Sequence, residues 1–212
     1  MELEVKDISG KVVGKVEADD TVWGAEPNMA LLHQAVVAQR ANRRLGTQDT
    51  QTRAEVSYST RKLRAQKHTG RARLGSRKSP AMRGGGVAHG PHPRSFSQRL
   101  PKKMKRQALR VALADHVRSE SLTVLDKLSL DGPKTRAVAD IVAALEISGR
   151  ALIVTAQKEE ALLKSCANLK SIQVLEARNL SPLETVSIPN LVITQDALKV
   201  VDNMWGKEAS RS

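Results

Sequence analysis

Between Glu55 and Asp115 the chain runs from Val56 to Ala114 without one acidic side chain, a stretch of 59 residues that carries 16 of its 35 lysines and arginines. The remainder holds 19 basic against 22 acidic residues, so the formal net charge of +13 comes wholly from a +16 segment set inside a mildly acidic chain. Such a segment does not condense on itself, because its charges repel and it lacks the large apolar residues that would offset them. A polyanion relieves the repulsion and orders the chain. Nucleic acid is the partner that this charge distribution selects.

Setting the segment aside leaves 153 of the 212 residues, enough for one hydrophobic core. Aromatic residues make up only 2% of the chain, too few for the stacking platforms that read single-stranded bases, so recognition is expected to rest on phosphates and shape. The lone cysteine, Cys166, excludes an intrachain disulfide framework or a thiolate metal cluster and suits a reducing compartment; at a helical position it reads as a small buried hydrophobe. The first residues, Met1-Glu-Leu-Glu-Val, put acids where a signal or transit peptide would be basic or apolar, and no run of 18 apolar residues occurs. A cytoplasmic protein with no membrane partner is expected.

Along the chain, Leu3 and Val5 alternate with polar residues, Ser9-Gly10 can turn, and Val12, Val13 and Val16 return, which predicts a hairpin. After Pro27, residues Leu31, Leu32, Ala35, Val36 and Gln39 recur at helical spacing, with Gly46 as the expected stop. From Thr47 to Leu100 periodicity disappears into Arg, Lys, Gly, Ser and Thr, with six of the 13 glycines between Gly70 and Gly90. A structureless stretch of that length inside a compact domain is functional or disordered. Pro101 suits a helix start, and Met104, Ala108, Val111 and Ala112 form an apolar stripe flanked by Leu109, Leu113 and Val117. The second half alternates apolar runs (Leu122 to Leu125, Leu152 to Thr155, Ile172 to Leu175, Leu191 to Thr194) with helical segments at 134–147, 158–168 and 196–205. This pattern predicts an α/β fold, a three-layer sandwich with a parallel sheet of about four strands. The domain plan is a globular part made of 1–46 and 101–212, with 47–100 inserted as a long non-globular basic loop.

An α/β sheet raises the alternative of a nucleic-acid-dependent enzyme with a basic substrate-holding arm. Asp126, Thr155 and Thr194 stand near strand ends, where they read as caps or turn residues, and no G-x-G-x-x-G follows a strand. The glycines at Gly70 and Gly75 have P-loop spacing but lack the lysine and meet Pro80 instead of a helix. His89 and His92 are spaced as metal ligands can be, yet no acid or cysteine lies nearby and the surrounding cations oppose a metal, so they read as polar contacts. No cofactor, metal or catalytic residue is assigned. The order inside the basic segment, with Arg71, Arg73 and Arg77 interleaved with Gly70 and Gly75, instead alternates guanidiniums with points where backbone can approach phosphate.

The runs Lys67-His-Thr-Gly-Arg-Ala-Arg-Leu-Gly-Ser, Arg77-Lys-Ser-Pro-Ala-Met-Arg-Gly-Gly-Gly-Val-Ala-His-Gly-Pro-His-Pro-Arg-Ser-Phe-Ser and Leu100-Pro-Lys-Lys-Met-Lys-Arg-Gln-Ala-Leu, with Thr52-Arg-Ala-Glu-Val before them, closely resemble the ribosomal protein four family of the bacterial large subunit. The resemblance spans nearly the whole chain. It implies a structural, non-enzymatic protein that binds large-subunit rRNA and sends a loop to the peptide exit tunnel. The implied neighbours are ribosomal proteins, protein twenty-two among them, with nascent peptide and macrolides near the loop's end. The rRNA-binding residues expected are Arg61, Lys62, Arg64, Lys67, Arg71, Arg73, Arg77, Lys78, Arg83, Arg94, Arg99, Lys102, Lys103, Lys105 and Arg106; the resemblance puts Lys67, His68, Thr69, Gly70 and Arg71 at the tip. The chain departs from the family at His68, where glycine is usual, and at Arg61-Lys-Leu-Arg-Ala-Gln, where many relatives have a Lys-Pro-Trp-like run. If residues 47–100 go out and return, each limb has about 27 residues and, at about 3.3 Å each, an upper reach of roughly 90 Å.

Overall fold

A computed structural model of the chain describes residues 1–128, 130 and 132–206. The end of the expected 101–212 segment, residues 207–212, lies outside the described residues. The chain divides into two compact units, one made of Met1–Arg40 and the residues from Gln98 onward, the other of Ala41–Ser97.

The first unit opens with strands β1 (Glu2–Lys6) and β2 (Val12–Glu17), an antiparallel hairpin turning at Gly10. Gly10 has φ 82°, and a Cβ there would run into the Ala144 carbonyl, so both backbone angle and close approach call for glycine. Helices α1 (Asp20–Trp23), α2 (Met29–Asn42) and α3 (Lys102–Arg118) follow, and then strands and helices alternate: β3 (Leu122–Leu125), α4 (Thr135–Ala144), β4 (Ala151–Thr155), α5 (Glu160–Cys166), β5 (Ile172–Glu176), a 3-10 turn at Ala177–Asn179, α6 (Pro182–Ser187), β6 (Asn190–Thr194) and α7 (Gln195–Trp205). The sheet has six strands in the order β2-β1-β3-β6-β4-β5, all parallel except β2. The four parallel runs legible in the sequence are β3 to β6. The hairpin belongs to the same sheet, through β1 pairing with β3 in the register Val5 with Val124 and Lys6 with Leu125.

Side-chain alternation makes the sheet two-sided. Val124, Leu152, Val154, Leu191 and Ile193 face a core shared with Trp23, Leu109, Leu113, Leu198 and Val201, which brings α1, α3 and α7 onto that face. Leu125, Ile153 and Val192 face the other way, onto Val138, Leu162 and Cys166 of α4 and α5. These are the three layers of the expected sandwich, and their strands are near-continuous apolar runs because both faces are covered.

Polar bonds tie the first core together. Trp23, 1% exposed, donates from Nε1 to Asp202 Oδ1 at 2.8 Å. Burial pushes the Asp202 carboxyl above its ordinary value, an effect opposed by the Trp23 bond and by the Asp19 amide. Arg110 donates to the carbonyls of Trp205 and Gly206 at 2.6 and 3.1 Å, fixing α3 to the end of α7. His116 is buried with both ring nitrogens engaged, Nε2 with the Thr185 carbonyl at 3.0 Å and Nδ1 with Ser121 Oγ at 2.7 Å.

Helices α2 and α3 pack antiparallel: Leu32 meets Val111 and Ala112, while Ala35 meets Ala108 and Leu100. Pro101 is the residue before α3, not part of its first turn. Helix α2 stops at Asn42, ahead of the expected Gly46. The short helices α1 and α6 carry too few residues to show a period; Pro182 opens α6 and only Leu183 and Thr185 follow it inward.

Candidate nucleic-acid interface

The second unit, 41–97, contains one buried apolar side chain, Val56. Its conformation therefore depends on hydrogen bonds and close backbone approach. The two limbs are bridged by Arg94 N–H to the Gly46 carbonyl (3.1 Å), Val87 N–H to the Gln51 carbonyl (2.8 Å) and Thr50 Oγ1 to the Pro91 carbonyl (3.1 Å). Nearer the tip, Leu63 N–H reaches the Gly75 carbonyl at 3.0 Å and Ser76 Oγ donates to the Ser59 carbonyl at 3.1 Å.

Gly46, predicted as a helix stop, serves this bridging: it has φ 65°, and a Cβ would collide with the Arg94 carbonyl and the Phe96 ring. Gly86 likewise lies against the backbone of Arg53, with no room for a Cβ. These two glycines bring backbone to backbone rather than backbone to phosphate. Gly70 and Gly75, by contrast, have nothing within 4 Å of a built Cβ and leave an open surface beside Arg71 and Arg73.

Only two acids lie inside the unit, and both are engaged. Asp49 Oδ1 pairs with His92 Nδ1 at 3.0 Å, the polar contact expected of that histidine. Glu55 accepts from the Thr52 N–H and hydroxyl at 2.7 and 2.9 Å, bonds that hold its carboxyl below the ordinary value. The cations are left over. Among the described residues Arg61, Lys62, Arg64, Lys67, Arg71, Arg73, Arg77, Lys78, Arg83, Arg94 and Arg99 have no ion-pair partner. All are exposed except Arg64 and Lys78, which are half-buried. On α3, in the first unit, Lys102, Lys103 and Lys105 are exposed and Arg106 is partly buried.

Both aromatic rings of the arm carry guanidiniums. Arg77 lies 5.3 Å from the Tyr58 centroid, and Arg44 and Arg94 lie 3.9 and 4.5 Å from that of Phe96. Stacking fixes the plane of an arginine while leaving its edge N–H groups free to meet phosphate. Arg44 and Arg53 do not stand out in the sequence, because they precede the acid-free stretch; their signal is the pairing with Phe96 and Gly86, which only the fold reveals.

At the tip, His68 has φ 63° and Gly70 φ 59°. His68 thus adopts the left-handed conformation that glycine takes without steric cost, one in which histidine is among the better tolerated side chains.

The crevice at the carboxyl ends of β3, β4 and β6, where open α/β sheets hold ligands, has about 520 Å³ and is lined by Asp126, Glu159 and Asp196 with Lys127. Burial pushes the Glu159 carboxyl up. Thr194 caps α7 through Ala197 N–H at 3.3 Å and Thr155 closes a turn onto the Gln157 carbonyl at 2.8 Å, the bland roles expected of them. An acidic crevice repels phosphate. No described helix is long and apolar enough to cross a membrane.

Residues 16–204 match the model of the ribosomal protein L4/L1 family. The chain is 43% identical over 209 residues to the large ribosomal subunit protein uL4 of Dehalococcoides mccartyi strain 195, covering 99% of this chain and 100% of that one. It is 48% identical over 200 residues to the uL4 of Desulforudis audaxviator, covering 94% and 97%, and 47% identical over 197 residues to that of Symbiobacterium thermophilum, covering 93% and 95%.

Proposed function

As the chain belongs to the ribosomal protein L4/L1 family, we propose that it is a structural constituent of the large ribosomal subunit that binds large-subunit rRNA through phosphates and carries the tip Lys67 to Arg71 to the peptide exit tunnel. It does no chemistry of its own and works in the cytoplasm. The observation that carries this reading is the set of eleven cations between Arg61 and Arg99 that have no ion-pair partner among the described residues, on an arm whose own acids are already engaged. Uncompensated guanidiniums and ammoniums so close together are stable when phosphates surround them, and counterion release from RNA supplies the free energy. Lys102, Lys103 and Lys105 at the start of α3 supply exposed ammoniums on the first unit as well. Protein twenty-two, nascent peptide and macrolides are the neighbours proposed for the tip.

Replacing Arg71, Arg73 and Arg77 together by Ala should lower the slope of log affinity against log salt by roughly 0.7 to 0.9 for each phosphate that is no longer neutralised. Titration of the full chain with deproteinised large-subunit rRNA measures it, and an unchanged slope would show that these side chains neutralise no phosphate. The placement of the tip is tested by a photo-crosslinker at position 68 in translating ribosomes. Crosslinks to nascent peptide or tunnel-wall rRNA are expected; crosslinks confined to solvent-side proteins would remove the tip from the tunnel. Substitution of Lys67 or His68 should alter macrolide sensitivity without preventing assembly.

A further inference from the structure

Away from the tip the arm holds a concavity of about 540 Å³, lined by Arg53, Thr60, Gly75, Ser76, Lys78 and Ser79. Its walls are fixed by backbone. Gly86 packs on Arg53 and donates its N–H to the Lys78 carbonyl at 3.1 Å, and Ser76 Oγ accepts from Lys78 N–H at 3.1 Å while donating to the Ser59 carbonyl. Among the described residues the Arg53 guanidinium, the Lys78 ammonium and the hydroxyls of Thr60 and Ser79 have no protein partner, and no carboxylate lines the cavity.

We infer that this cavity receives one looped-out nucleotide of the bound RNA, its phosphodiester between Arg53 and Lys78 and its ribose against the Thr60 and Ser79 hydroxyls; the inference rests on the proposal that the arm binds rRNA. Two cations with no acid beside them select a phosphate. Hydroxyls that both donate and accept match a ribose 2′-OH. The volume falls within the range of pockets that take small ligands and exceeds what one phosphate fills. A duplex is too broad to enter a cavity of this size, so the ligand must project from its strand. With no aromatic ring in the lining, the cavity holds phosphate and sugar and does not stack the base.

The test compares the full chain with R53A, K78A, the double variant R53A/K78A and the charge-conserving R53K/K78R, each bound to deproteinised large-subunit rRNA. Because one phosphodiester carries one charge and either cation can neutralise it, the salt slope should change little in each single variant and fall by roughly 0.7 in the double. R53K/K78R should restore it. In the double variant, 2′-OH acylation should return at one unpaired nucleotide to the level of protein-free RNA, while protection along the rest of the arm persists. A slope that falls by roughly 0.7 in each single variant and by about twice that in the double, or reactivity that changes along a helix rather than at one nucleotide, overturns the pocket and leaves RNA binding by the arm intact. A photo-crosslinker at position 60 that captures only protein in assembled subunits overturns it in favour of an acidic protein neighbour. If the unaltered chain protects no rRNA through its arm, the broader proposal fails and the pocket fails with it.

Discussion

A chain in which residues 44–97 are replaced by a short Gly/Ser linker should melt cooperatively and yet lose about three or more orders of magnitude in rRNA affinity at low salt. The first half of this expectation follows from where the cores lie. Every residue of the two sheet-facing clusters, and of the smaller clusters between α2 and α3, belongs to the unit made of Met1–Arg40 and the residues from Gln98. The arm adds only Val56 to the buried apolar set. Since α2 and α3 pack antiparallel, with Ala35 beside Leu100, rejoining the chain means spanning only the last seven residues of α2, about 10 Å at about 1.5 Å per residue, which a short linker covers. Loop closure changes by only about 0.6 kcal/mol per doubling of length, so shortening does not strain the domain. The second half follows from charge. A protein that neutralises about 6 to 10 phosphates binds about 10³ to 10⁵ more tightly at roughly 50 than at roughly 200 mM salt. The excision removes all twelve lysines and arginines between positions 44 and 97, leaving, of the expected RNA-binding residues, only Arg99 and the four at the start of α3. Calorimetry and salt titration of the same preparation check both halves. Loss of the melting transition would mean that the arm supports the core, and an unchanged salt slope would mean that the arm does not bind RNA.

Trp23→Ala should cost about 3 to 5 kcal/mol and lower the midpoint of thermal unfolding by roughly 6 to 20 °C. Trp23 is 1% exposed, the largest of the fully buried side chains, and packs in the core between the sheet and helices α1, α3 and α7. Its removal leaves a cavity that a four-residue helix cannot collapse to fill. Trp23→Phe separates packing from hydrogen bonding: most of the volume remains, but Asp202 loses the donor at 2.8 Å and keeps only the Asp19 amide. The Asp202 pKa is already raised by burial and would rise further. A raised carboxyl contributes stability below its unfolded pKa and loses it as pH rises through the folded value. The deficit of Trp23→Phe relative to the unaltered chain should therefore be complete at neutral pH and narrow on acidification toward about 4, the ordinary carboxyl range. A deficit independent of pH would show that the Trp23 indole contributes by packing alone.

The parallel half of the sheet was legible because its strands are buried on both faces, so that Leu152 to Thr155 and Leu191 to Thr194 stand out as unbroken apolar runs between helical periods. Membership of the hairpin in that sheet was not, since pairing of Val5 with Val124 joins residues far apart in sequence and leaves no local trace. Helices α1 and α6 escaped for lack of length. In the arm, the excess of cations was legible from composition, but the work of its glycines was only half readable: Gly70 and Gly75 stay open as the sequence suggested, whereas Gly46 and Gly86 serve close approach to Arg94 and Arg53 across the limbs. For the same reason Arg53 and Thr60 drew no notice, because a cavity made by chain crossing has no sequence spacing of its own.

The pairing of β1 with β3 also sets a timetable. Strand β1 ends at Lys6, and its parallel partner begins at Leu122, with the whole arm encoded between them. During synthesis at roughly 5 to 20 residues per second, several seconds pass in which the first hairpin has emerged and its neighbour in the sheet does not yet exist. Through that interval the open edge of β1 and the uncompensated arginines are exposed together, so the nascent chain meets any polyanion in its surroundings before it has a folded domain. Order of emergence thus leaves the arm's cations accessible before the sheet can close.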